Sequence, residues 1–277
     1  MRSWRIAKGH GTENDFVIVL DRHGMANPTP EDVRMLCDRR AGLGGDGLLR
    51  VVRGAQIPEW DGDPHVWFMD YRNADGSVSE MCGNGVRVFA RYLVDEGLAT
   101  GPEIPVGTRA GLKRVTMQRD GRIRVDMGRV VVDEEPTQVS LAGVPMTATK
   151  VDVGNPHAVA FVEEVAGLNL TIAPEFDATR FPEGVNVEFV EVVGPAHVRM
   201  RVFERGVGET RSCGTGTVAV AAAAQRAFGG NDWRVDVPGG TLHIELQTAA
   251  DGVIGRALMT GPAVVHIRGD VQLDDGR

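Results

Sequence analysis

Cys82-Gly83-Asn84-Gly85 and Cys213-Gly214-Thr215-Gly216 are the two stretches on which the fold turns. They lie 131 residues apart in a chain of 277. Each opens a run of helical character. One extends over about 84–96 and is stopped by Gly97; the other extends over about 216–228 and is stopped by Gly229-Gly230. An alternating strand precedes each, at 65–71 and at 197–203. The same offset pairs Asn73 with Glu204, both upstream of their cysteine. A duplicated unit of roughly 130 residues accounts for this better than coincidence.

Working outward, strand signals dominate at 16–20, 122–127 and 185–193, where Ile123, Val125 and Met127 share a face. Thr29-Pro30-Glu31-Asp32 combines an N-cap, a proline and first-turn acids, and predicts a helix through about Arg39. The run at 218–224 is apolar all round, so its helix belongs inside a core. The segment 53–64, rich in Pro, Gly and Asp, reads as a surface loop. The expected fold is α+β, with two pseudo-symmetric domains from a duplication. Each is a mixed or antiparallel barrel-like sheet around a central helix, and the active site falls in the cleft between them. The domains are expected at 1–117, with 264–277 returning to it, and at 118–263.

Composition narrows the function. A net charge of −8 argues against a nucleic-acid groove, which needs Lys and Arg against phosphates. The longest apolar run is far short of a membrane span, and the opening residues have no apolar core of a signal peptide. The expected setting is the cytoplasm. Lys8, Lys113 and Lys150 are the only lysines, and none sits where a Schiff base demands one. Three cysteines are too few for a disulfide scaffold and lack zinc-site spacing, so neither metal nor cofactor is expected. Cys37, in helical register with Val33 and Leu36, reads as a small core hydrophobe.

A cysteine at a helix start has a specific meaning. Unpaired N–H groups and the helix dipole stabilise a thiolate, which predicts an acidic thiol in each half. The same N–H groups cradle a carboxylate. Two such halves can take a proton from one face of a carbon and return it to the other. This is racemase or epimerase chemistry on a small amino acid. A disulfide between Cys82 and Cys213 reads as an oxidised, inactive form. A thiol redox protein fits less well, because such pairs are usually CxxC; a pure binding module has no need of thiols.

These residues, with Lys8–Phe16, Arg72–Ser77, Gly154–Val159, Asn186–Phe189 and Phe203–Thr210, resemble the diaminopimelate epimerase family across nearly the whole chain. The resemblance implies that Cys82 and Cys213 are the base and acid. It implies that Gly83, Asn84, Gly214 and Thr215 hold the reacting carboxylate. Asn14, Asn73, Asn155 and Asn186 would bind the distal end of the substrate, with Glu204 and Arg205 completing the pocket. His157 and Glu204 would tune the thiols. A homodimer is also implied. A proline racemase-like isomerase is the alternative, although a one-ended substrate has no use for Asn73, Asn155, Asn186 and Arg205 together. Two departures stand out: Gly47 where many members carry Gln, and Thr12-Glu13 in the opening loop.

Overall fold

In a computed structural model, which describes residues 2–249 and 252–273, each cysteine-led helix is wrapped by strands of its own unit. Unit 1 comprises the chain up to Val125 and from Pro262 onward; unit 2 is Asp126–Gly261. The expected boundary at 117/118 coincides with the turn at Gln118–Gly121, whereas the units divide inside a long strand. Among the described residues, no helix is long and apolar enough to cross a membrane.

Unit 1 runs β1 (Arg2–Gly11), β2 (Asn14–Leu20), α1 (Pro30–Cys37), β3 (Gly47–Arg53), β4 (Trp67–Asn73), α2 (Gly83–Asp95), β5 (Glu103–Thr108) and β6 (Gly111–Met117). β7 (Ile123–Leu141) then leads away. Unit 2 runs β8 (Val144–Asp152), β9 (Pro156–Val162), β10 (Glu175–Phe176), β11 (Asn186–Gly194), β12 (His197–Glu204), β13 (Gly208–Thr210) and α3 (Gly214–Phe228). It closes with β14 (Asp232–Val237), β15 (Gly240–Thr248) and β16 (Ile254–Gly261). β17 (Val264–Leu273) belongs to unit 1, where it pairs antiparallel with β1; residues 274–277 of the expected return lie outside the described residues.

The pairing directions repeat. β1–β2 is antiparallel, β2–β3 parallel, β3–β4 antiparallel, β4–β5 parallel and β5–β6 antiparallel. β8–β9, β9–β11, β11–β12, β12–β14 and β14–β15 follow the same series. The register then makes residues equivalent. Phe16 faces Gly47, and Gly47 faces Asn73. His157 faces Asn186, and the β11–β12 ladder starts with Val187 against Phe203, which sets Asn186 beside Glu204. So Phe16 matches His157, Gly47 matches Asn186, and Asn73 matches Glu204.

Local chemistry explains the helices. Thr29 accepts from Asp32 N–H while Asp32 reaches back to the Thr29 N–H, a capping box with Pro30 behind it. This helix ends at Cys37, because Asp38 is extended. α2 buries Val86, Val88, Phe89, Tyr92 and Leu93 against β1–β6. α3 is buried from Gly216 through Ala224, and its small side chains let β8, β9, β11, β12 and β14–β16 close on it. The 53–64 segment lies at the surface, as expected, but is tethered: it makes a 3-10 turn at Gly54–Gln56, and Ile57 packs with Val52, Phe68 and Trp60. Two apolar side chains among its polar residues anchor it.

Candidate active site

The two cysteines occupy the same local geometry. Each is a helix N-cap with an extended backbone, φ −135° at Cys82 and −117° at Cys213. Gly85 N–H donates to Cys82 Sγ at 3.4 Å, and Gly216 N–H donates to Cys213 Sγ at 3.4 Å. Each thiol therefore takes one of the N–H groups that a helix start leaves without an internal partner. Both cysteines, like Cys37, are free thiols.

Around Cys82, unit 1 gathers Asn14 and Asn84. Asn14 Oδ1 accepts from Asn84 Nδ2 at 3.2 Å and from Cys82 Sγ at 3.6 Å. Asn14 Nδ2 donates to Asp46 Oδ2 at 2.7 Å, which fixes the amide. Arg39 in turn bridges Asp46 and Asp15. Asn14 thus touches the thiol of its own unit, although the resemblance grouped it with the residues for the distal end. Beneath lies Arg87, one turn along α2 and fully buried. Its guanidinium donates to Gly83 O, Pro262 O and Thr12 Oγ1. Burial pulls its pKa down to about 10, so it stays cationic at neutral pH.

Around Cys213, unit 2 gathers Thr215, Glu204, His157 and Glu188. Thr215 Oγ1 lies 3.5 Å from Sγ. Glu204 Oε1 accepts from the Thr210 hydroxyl. His157 Nδ1 lies 2.6 Å from Glu188 Oε1, and its Nε2 lies 3.1 Å from Asn155 Oδ1. His157 and Glu188 are both fully buried. Among the described residues, Glu188 Oε2 has no hydrogen-bond partner. Burial pushes the Glu188 carboxyl up, against the pull of His157.

The expectation of two acidic thiols is corrected at Cys213. Burial drives its pKa well above the ordinary thiol range, and the carboxylates of Glu204 and Glu188 push the same way. The N–H of Gly216 and the Thr215 hydroxyl oppose this without prevailing. A helix start alone does not make a thiol acidic when the site is dry and carboxylates are near. Glu204 and Glu188 raise the Cys213 thiol, and His157 lowers the Glu188 carboxyl.

Other expected residues are placed as follows. Asn73 ends β4 and donates to Ser77 Oγ at 2.9 Å, a turn contact. Asn186 Oδ1 accepts the Arg205 N–H at 2.9 Å, while the Arg205 guanidinium donates to Glu183 O. Gly47 has no room for a side chain, since a Cβ there would lie 2.5 Å from Arg72 O and 2.7 Å from the Tyr71 ring. Cys37 packs with Val33 and Leu36, and burial pushes its thiol up to about 12. Lys8 is held by Asp15 at 2.6 Å. Among the described residues, no group of three or more His, Cys, Asp or Glu side chains is arranged to hold a metal.

Sequence reasoning missed Glu188 and Arg87. Glu188 was detectable as a charge on the Asn186 face of β11, which is continued by Val190 and Val192, and Arg87 as a charge in the buried run 86–90.

Two like units, each built on a cysteine-capped helix, define an α+β fold class. The fold is shared with a Bacillus anthracis PhzF-family phenazine biosynthesis protein, at a TM-score of 0.73 and 14% identity, covering 99% of this chain and 100% of that one. It is also shared with a hydroxyproline epimerase from Agrobacterium vitis, at 0.68 and 18%, covering 99% and 94%. Within that class the chain belongs to the diaminopimelate epimerase family, whose model matches residues 6–132 and 149–266. It is 52% identical to the diaminopimelate epimerase of Streptomyces coelicolor, covering 97% of this chain and 96% of that one. For the Thermobifida fusca enzyme the figures are 50%, 97% and 98%.

Proposed function

We propose that the protein interconverts LL-2,6-diaminopimelate and meso-diaminopimelate by Cα proton transfer through Cys82 and Cys213, as a step toward lysine and peptidoglycan precursors. The observation that carries this is the doubled cap: two thiols, each on a Gly N–H at 3.4 Å at the head of a buried helix, in a chain of this family.

One sulfur takes the Cα proton and the other returns a proton to the opposite face; the roles exchange with direction. The N–H groups of Gly83-Asn84 and Gly214-Thr215 stabilise charge that spreads onto the substrate carboxylate. Asn14, Asn73, Asn155, Asn186, Glu204 and Arg205 take the remaining polar groups. The chemistry calls for no added cofactor. By the family resemblance, the working form is a cytoplasmic homodimer, for which sedimentation should give twice the 29.8 kDa of one chain.

The test is turnover in deuterium oxide without cofactor. Each turnover should place deuterium at Cα, and Cys82→Ser and Cys213→Ser should each lower kcat by about 1,000-fold or more. Full epimerisation by either variant overturns the mechanism. A panel of amino acids, including proline, separates this substrate from that of a one-ended racemase.

A further inference from the structure

Glu188 stands on β11 two residues beyond Asn186, on the same face, and is completely buried. Its Oε1 is 2.6 Å from His157 Nδ1, and His157 Nε2 is 3.1 Å from Asn155 Oδ1. An amide oxygen only accepts, so Nε2 carries its hydrogen, and the Nδ1–Oε1 contact shares a single proton. The same carboxylate faces the first turn of α3, where a Cβ on Gly216 would come within 2.7 Å of Oε1.

The other unit shows what this place requires for packing alone. There a Cβ on Gly85 would meet Leu49 at 3.3 Å and Phe16 at 3.5 Å. The scaffold therefore closes under a cysteine-capped helix with two apolar side chains. A buried carboxyl and imidazole are expensive by comparison. Their retention under Cys213 calls for a task other than filling space.

We propose that Glu188 is a positioning residue: it locks the His157 ring with Nε2–H on Asn155, and thereby fixes which face of the Asn155 amide meets the ligand. This rests on the reading of Asn155 as a ligand-binding residue. With Oδ1 occupied by His157, Asn155 presents its NH2 group as a donor. The titratable groups facing Glu188 are His157 from β9 and Cys213 at the head of α3, with Glu204 of β12 acting on the same thiol. The first turn of α3 carries no charged side chain.

The experiment compares Glu188→Gln with Glu188→Leu in the full-length protein, each checked by thermal melting. Gln can donate to Nδ1 and preserve the line to Asn155; Leu reproduces the side chain that unit 1 uses. Nitrogen-15 NMR of His157 should show a fixed Nε2–H tautomer in the wild type and in Glu188→Gln, and tautomer exchange in Glu188→Leu. KM should stay within about threefold for Gln and rise about 10- to 100-fold for Leu. A fixed Nε2–H tautomer and unchanged KM in Glu188→Leu overturns the proposal. So does a Gln variant as impaired as the Leu variant. The NMR arm requires no turnover, so it stands apart from the cysteine tests of the reaction itself.

Discussion

The caps of Cys82 and Cys213 match, but the ground beneath them does not. Below Cys82 lie Phe16 and Leu49, with the buried guanidinium of Arg87 one turn along. Below Cys213 lie His157 and Glu188, and the residue in the place of Arg87 is Val218. One thiol has a cation for a neighbour; the other has carboxylates. Duplication supplied two matching cysteine caps, and the residues beneath them have diverged.

The largest effect that tests this contrast comes from adding a methyl group under each thiol. At Gly216 the new Cβ would sit 2.7 Å from Glu188 Oε1, which is tied at 2.6 Å to His157 and cannot swing aside. At Gly85 the nearest atoms lie at 3.3 Å and are aliphatic. Gly216→Ala should destabilise by about 2–3 kcal/mol and Gly85→Ala by about 1 or less. Denaturant midpoints measure both. In a Glu188→Leu background the Gly216→Ala penalty should fall by about 1–2 kcal/mol, as expected for side chains in contact. Equal penalties at the two glycines would remove the contrast.

Acid sharpens it further, because the buried carboxylates held low by arginine are concentrated in unit 1. Asp15, Asp21, Asp32 and Asp70 of unit 1 are all held low: burial pushes each up, but Arg39 with Lys8, Arg50, Arg2, and Arg72 with Arg109 outweigh it. A lowered carboxylate stabilises above its unfolded pKa of about 3.9, and that stability is lost as pH falls through the folded value. Unit 2 has Asp236 of this kind. It also has Glu188, raised by burial, whose contribution is present below about pH 4.3 and is lost as pH rises. Taking the protein from pH 6 to pH 3 should therefore open α2 amides to hydrogen exchange before those of α3. The reverse order would refute the assignment.

Alkylation probes the thiol itself. The raised pKa of Cys213 predicts slow modification by iodoacetamide at pH 7, with a rate rising about tenfold per pH unit through pH 9. Peptide mapping after brief labelling follows that site. A plateau below pH 8 would mean that burial and the two carboxylates do not hold the thiol protonated.

Much of this was legible in the residues. The CGxG repeat, glycine stops and strand alternation located both central helices to within two residues, since caps and periodicity are local signals. The repeated framework was legible where motif and repeat coincided, at Cys82 and Cys213 and at the matched Asn73 and Glu204. The site was not legible at Glu188 and Arg87, because a charged letter in an apolar run does not say whether it points at solvent or at a buried partner. Nor does a helix start reveal how dry its thiol is. That depends on β11 and β12, which approach from elsewhere in the chain, and it reversed the expected acidity of Cys213.

The smallest predicted effect concerns the hairpins that open the two units. The β1–β2 turn places both Thr12 and Glu13 at positive φ, 52° and 61°, with Gly11 paired to Asn14 across it. The β7–β8 turn has Ala142 at 51° but Gly143 at 80°. Two-residue hairpins of this type favour glycine, since a Cβ in the left-handed region costs about 1 kcal/mol. Thr12 has compensation: it is buried, and its hydroxyl donates to Gly11 O and accepts from Arg87. Glu13 is exposed, and its backbone N–H bond to His10 survives substitution. Glu13→Gly should therefore stabilise by about 0.5 kcal/mol, part of the relief being offset by the freer unfolded chain. Thr12→Gly should destabilise, because it strips a hydroxyl from a buried guanidinium. Chemical denaturation of the two variants side by side decides the matter, and a gain in both would show that Arg87 does not depend on the turn that precedes Asn14.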